Sequence, residues 1–155
     1  QIGKMISTKY YVIEFLMIYW RRNMFRNKKY IRNDNGSGQS LNTSSSLFQQ
    51  SIIEMQYLTK YFKGKEVTTL GLAGVGDLYV SAAGGRNSKM GSYLGKGFTF
   101  NKAKKKFMPK DTVEGEQLVR EIAPYILKKI NKKKIPLMNS LFKTILKNKK
   151  LNIKL

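Results

Sequence analysis

Residues 70–87, LGLAGVGDLYVSAAGGRN, decide how this chain is read. Gly71, Gly74, Gly76, Gly84 and Gly85 all fall inside that stretch. A residue without Cβ tolerates positive φ and close approach, so the backbone can turn tightly or meet a ligand at several points. Four polar groups punctuate the glycines: Asp77, Ser81, Arg86 and Asn87. A planar guanidinium beside a carboxamide, presented just after a Gly-Gly turn, suits a phosphate or carboxylate gripped by paired hydrogen bonds. On this stretch alone a surface loop with a solvated arginine remains an open alternative.

Outward from the stretch, apolar residues recur at helical spacing and no period-two alternation appears, so the expected fold is all-α with five to seven helices. Upstream, Phe48, Ile52, Met55, Leu58 and Phe62 predict an amphipathic helix over 44–62, with Asn42 and Thr43 as N-cap types and Gly64 as its end. Downstream, a short helix is expected over 88–94, and Thr99 is placed to cap another in which Phe100, Ala103 and Phe107 share a face. A helix over 114–129 puts Leu118, Ile122 and Ile126 on one side, with Pro124 expected to kink it or start its second half. Pro136 suits the first turn of a last helix carrying Leu137, Leu141, Phe142 and Ile145. The expected core is Phe48, Ile52, Met55, Leu58, Leu72, Leu118, Ile122, Leu141 and Ile145. Residues 70–87 are expected as a glycine-rich turn leading between helices.

Composition bounds the function. The 155 residues suffice for one domain with an adequate core. Cysteine and histidine are both absent, which removes disulfides and the usual zinc ligands, so no metal site is expected. The chain reads as cytoplasmic. Thirty Lys+Arg against nine Asp+Glu give a formal charge of +21, which raises a nucleic-acid or anionic-membrane partner. The lysines come in local runs at 104–106, 132–134 and 149–150, without interleaved aromatics. A solvated lysine-rich surface therefore outweighs a nucleic-acid face. The most apolar window, Tyr10–Trp20, is interrupted by Glu14 and is too short for a layer that needs about twenty apolar residues. It lacks the frame of a secretory signal.

Three spaced motifs, GLAGVGDL at 71–78, GGRN at 84–87 and DTVEG at 111–115, resemble the C-terminal domain of NAD(P)-dependent glycerol-3-phosphate dehydrogenase. The resemblance implies the helical fold shared with 6-phosphogluconate dehydrogenases. It also implies hydride transfer between sn-glycerol 3-phosphate and dihydroxyacetone phosphate, with NAD or NADP as cofactor, and a possible homodimer. By resemblance, Arg86 and Asn87 face phosphate and cofactor, Ser81 holds a substrate hydroxyl, Asp77 orients a lysine general acid/base, and Thr112 and Glu114 contact the cofactor. Gly85 stands where many members have serine, and Thr112 where many have valine, so one side-chain contact to substrate is expected to be lost. Residues 42–155 are the expected substrate-binding domain.

Residues 1–41 depart from the family. No GxGxxG follows a strand, so the Rossmann domain that would hold most of the cofactor is expected to be missing from this chain. The segment WRRNMFRNKKYIRNDNGSGQ, 20–39, is basic and aperiodic where the family has a lysine-asparagine motif in an apolar helix. Back-translating 19–36 one nucleotide later permits IGGEICSGIKNIYAMTMG, which is family-like, so a frameshifted translation is one expectation and a flexible basic linker the other. In the shifted frame the catalytic lysine falls across Lys28 and Lys29, which are weak candidates. Two readings from other classes stay open: a basic polyanion-binding module, and a non-catalytic dimerisation fragment.

Overall fold

The computed structural model describes residues 39–153 apart from 77 and 80–84, and the side chains of 45–153 apart from these and 47, 88 and 114. Among the described residues six α-helices with assigned bounds follow in order, and there is no strand. They are α1 (Gln39–Tyr61), α2 (Glu66–Leu70), α3 (Arg86–Gly95), α4 (Phe100–Phe107), α5 (Glu114–Lys129) and α6 (Pro136–Leu146). A single π turn, Leu72–Gly76, follows α2, and a 3-10 turn, Lys132–Lys134, joins α5 to α6. The expected all-α fold is what forms. The readings of residues 1–38, including the basic segment and its frameshift, lie outside the described residues.

Most of the core is built by α3 to α6. Met90 and Leu94 of α3, Phe100 and Ala103 of α4, Val119, Ala123 and Ile126 of α5, and Met138, Phe142 and Ile145 of α6 form one buried cluster with Leu58 of α1. On α5 the fully buried line is Val119, Ala123 and Ile126, whereas Leu118 and Ile122 are only partly buried beside it. The helix is thus rotated slightly from its expected face. Tyr93 and Phe107 stack at 4.3 Å between centroids and tie α3 to α4, a geometry that adds to simple area burial.

A second, smaller cluster seats the glycine-rich stretch. Met55 of α1 and Leu78 are buried together, with Phe48, Ile52 and Val75 packed around them. Leu72 does not join them. It is 89% exposed, correcting its place in the expected core. In the π turn the N–H of Gly76 reaches back to the Gly71 carbonyl at 3.2 Å. That widened turn directs Val75 and Leu78 inward and leaves Leu72 outside.

Other boundaries moved for identifiable reasons. Helix α1 already includes Gln39, so Asn42 and Thr43 are interior residues and not N-caps. A capping side chain ends nothing when the preceding backbone is itself helical. At the other end the left-handed residue is Lys63, with φ of 61°, and Gly64 follows it, donating its N–H to the Thr59 carbonyl at 2.7 Å. Thr99 holds the N-cap position of α4, yet its side chain makes no capping hydrogen bond. Pro124 lies exposed inside an unbroken α5. The missing donor there costs a bond but does not end the helix, because packed neighbours on both sides keep the turn in place.

One buried carboxylate joins the two halves of the core. Glu54, near the middle of α1, is 4% exposed. It accepts the N–H of Leu137 at 2.8 Å and of Met138 at 3.0 Å, and Gln50 donates to it from one turn earlier at 3.2 Å. Pro136 occupies the first position of α6 and has no N–H to satisfy, so the next two donors are the ones that need a partner. A side chain distant in sequence supplies the cap.

Candidate functional site

The N-terminal turn of α3 carries the two described residues on which the reading of the glycine-rich stretch depends. Gly85 precedes it with φ of 105° and ψ of 171°. That backbone region is open to glycine almost alone, so a serine at this position would be strained. The helix starts at Arg86, two residues before the expected start, which puts Arg86 and Asn87 on its first turn. Arg86 is exposed. Asn87 is half-buried, and its Oδ1 is fully enclosed with no hydrogen-bond partner.

The first turn of α3 contains no acidic residue, yet it carries Arg86 and, one turn on, Lys89. A helix N-terminus favours negative charge, by about 0.3–1 kcal/mol per group. Lys89 is paired with Asp111, whereas the Arg86 guanidinium in that position works against the helix and in favour of an anion brought from outside. Three features thus meet on one turn: N–H groups without a side-chain cap, a guanidinium, and an enclosed amide oxygen lacking a donor. Together they suit a ligand with a phosphate at one end and a hydroxyl or amide N–H at the other.

The loop between α4 and α5 is held against this helix. Lys89 pairs with Asp111 at 3.0 Å. Lys104 of α4 donates to the backbone carbonyl of the same Asp111. Met108 and Val113, at 1% and 3% exposure, anchor the loop in the core on either side. Between these anchors Thr112 is exposed, and Glu114 begins α5. The Lys89–Asp111 pair thus attaches the DTVEG loop to the helix bearing Arg86 and Asn87. The sequence reading missed Lys89 and Asp111 themselves. Opposite charges 22 positions apart carry no local signal.

Asp77, Ser81, Lys28 and Lys29 lie outside the described residues. Two lysine runs that are separate in sequence meet in space: Lys132, Lys133, Lys143, Lys149 and Lys150 line one cleft. Among the described residues no helix is long and apolar enough to cross a membrane.

The matches with known proteins follow the same stretch of chain. The family described as NAD-dependent glycerol-3-phosphate dehydrogenase C-terminus matches residues 34–154, and the chain belongs to it. Among named relatives, it is 29% identical over 116 residues to a glycerol-3-phosphate dehydrogenase (NAD(P)+) of Halothermothrix orenii, covering 74% of this chain and 33% of that protein. It is 29% identical over 119 residues to a glycosomal NAD(+) glycerol-3-phosphate dehydrogenase of Leishmania mexicana, covering 74% and 31% respectively. An NADP(+)-dependent glycerol-3-phosphate dehydrogenase of Archaeoglobus fulgidus is 30% identical over 102 residues, covering 66% and 28%. The chain spans about a third of the length of the curated relatives it matches. Membership in this oxidoreductase family leaves the reading as a basic polyanion-binding module without support.

Proposed function

We propose that residues 42–155 form the substrate-binding domain of a dehydrogenase that interconverts sn-glycerol 3-phosphate and dihydroxyacetone phosphate with NAD or NADP. The observation that carries this reading is the first turn of α3, where Arg86 stands beside an enclosed and unpartnered Asn87 oxygen. The guanidinium of Arg86 holds the phosphate, assisted by the N–H groups of the helix start. A hydroxyl of the substrate, or the carboxamide N–H of a nicotinamide, donates to Asn87. The donor set fits such a ligand, because it pairs a fixed positive charge with one acceptor that has no partner within the protein.

The remaining roles rest on the resemblance of the motifs. Ser81 bonds a substrate hydroxyl, Asp77 orients the lysine general acid/base, and Thr112 and Glu114 border the cofactor. Lys28 and Lys29 are the candidates for that lysine. In the oxidative direction the C2 hydroxyl yields its proton to this lysine. A bound nicotinamide would supply the acceptor for the hydride of C2. A carboxylate beside the ammonium fixes its position and favours its charged form, so the fall in pKa that proton exchange near neutral pH needs has to come from burial of the lysine in the closed site.

A chimera tests the proposal. The preceding part of the Halothermothrix orenii relative, with its own lysine segment, is joined to residues 42–155, and oxidation of reduced cofactor by dihydroxyacetone phosphate is followed by absorbance. The expected result is turnover that Arg86→Ala lowers at least about 30-fold, since removing one partner of a desolvated charge pair costs on the order of 2–5 kcal/mol. A folded chimera with no turnover, or turnover indifferent to Arg86, would overturn the proposal. Residues 42–155 without the preceding part of the relative are expected to show no turnover.

A further inference from the structure

We propose that Asp111 is a positioning residue, clamped by Lys89 and Lys104, that fixes the loop carrying Thr112 against the Arg86–Asn87 turn. The proposal rests on reading that turn as the phosphate site. Its basis is a convergence of two helices on one loop residue. The carboxylate of Asp111 takes Lys89 of α3, and its carbonyl takes Lys104 of α4. Its own N–H donates to the Met108 carbonyl at 3.2 Å, which closes the turn from the buried side. All three hydrogen-bonding groups of the residue are thus committed, to α3, to α4 and to the loop itself.

The placement of Lys89 is informative. It sits on the first turns of α3, with its N–H on the Gly85 carbonyl at 3.0 Å, where a cation opposes the helix dipole. Neutralisation by Asp111 offsets that penalty. Met108 and Val113 fix the two ends of the loop by burial, and the ion pair fixes the exposed middle. With both partners partly exposed, the pair is modest in energy. Its value lies in geometry, since a small misplacement of a ligand-binding group is costly to function.

Two mechanisms predict opposite signs for Asp111→Asn. If Asp111 were only a nearby charge, its removal would leave the site more positive, and glycerol 3-phosphate would bind more tightly. If it positions the loop, binding weakens. Calorimetric titration of glycerol 3-phosphate into the chain is expected to give a dissociation constant about fivefold higher for Asp111→Asn, in keeping with a partly exposed pair. The exchanged pair Lys89→Asp with Asp111→Lys keeps the net charge and is expected to return within about twofold of the unmodified chain. Unchanged or tighter binding by Asp111→Asn would overturn the proposal, as would an exchanged pair no better than Asp111→Asn.

Backbone hydrogen exchange of residues 108–113 provides the independent arm, since it needs no ligand. Faster exchange in Asp111→Asn, with the rest of the chain unchanged, is the expected result. Unaltered exchange would remove the clamp itself. If the unmodified chain fails to bind glycerol 3-phosphate while the exchange difference is present, the clamp stands as a structural contact and both the phosphate-site reading and the positioning role fall. The two failures are therefore separable.

Discussion

Glu54→Gln is the sharpest perturbation of the fold. The carboxylate accepts two N–H groups of α6, from Leu137 at 2.8 Å and Met138 at 3.0 Å, in a site only 4% exposed. A carboxamide of the same shape offers one oxygen and one NH2. One N–H of α6 then faces a donor and is left buried without a partner, which costs about 1–3 kcal/mol. The charge at the helix N-terminus is lost as well, worth up to about 2 kcal/mol in a partly buried setting. Relief of the cost of burying that charge offsets part of the sum, leaving a loss of about 2–3 kcal/mol and a midpoint lowered by roughly 10 °C for a domain of this size. Thermal unfolding followed by circular dichroism measures it.

The pH dependence of the same substitution carries its own sign. Burial, the largest influence, pushes the Glu54 carboxyl above its ordinary value of 4.5, and the N–H groups of Met138 and Leu137 and the Gln50 amide pull it back only in part. The folded state therefore binds this proton more tightly than the unfolded chain does. The stability so contributed is full below the ordinary value and is lost as pH rises through the raised one. Glutamine does not titrate. The stability gap between the two proteins should accordingly be wider near about pH 4 than near about pH 7.5. A Glu54→Gln protein as stable as the original at every pH would refute the assignment of Glu54 as a buried cap, whereas a gap that grows with pH would show that the N–H bonds of Leu137 and Met138 outweigh the burial of the charge.

Two substitutions probe the rest of the scaffold. At Gly74 a Cβ would lie 2.1 Å from the Thr69 carbonyl oxygen, whereas at Gly71 the nearest atom is 3.7 Å away. Gly74→Ala should cost more than about 3 kcal/mol because backbone must shift, and Gly71→Ala should be tolerated, as urea unfolding of both would show. Pro124→Ala restores a donor inside the exposed face of α5 and should raise the thermal midpoint, the reverse of most changes made within a helix.

The sequence carried the fold through periodic elements and lost it at irregular ones. Helices α4, α5 and α6 were legible because Phe100, Ala103 and Ile126, or Leu141 and Ile145, repeat at the spacing of a buried face. Pro136 marked its helix start through backbone chemistry alone. Leu72 misled because a π turn shifts the phase of everything after Gly71, and no composition rule announces such a turn. Glu54 was invisible, since its partners are 83 and 84 positions away. Arg86 and Asn87 stand out in the sequence as a polar pair after the Gly-Gly step, and the structure puts both on the first turn of α3. Their helical setting, and the loop clamped beside them by Lys89 and Asp111, depend on contacts between distant segments.

The central claim, that Arg86 and Asn87 on the first turn of α3 bind the phosphate-bearing substrate, is most directly tested by calorimetric titration of glycerol 3-phosphate, glycerol and inorganic phosphate into the chain and into Arg86→Ala. Saturable one-to-one binding of glycerol 3-phosphate is predicted, tighter than that of phosphate and absent for glycerol, and lost in Arg86→Ala with the thermal midpoint unchanged. Equal binding by the two proteins would contradict the account, as would affinity for phosphate alone that falls steeply with salt and follows the lysines lining the other cleft.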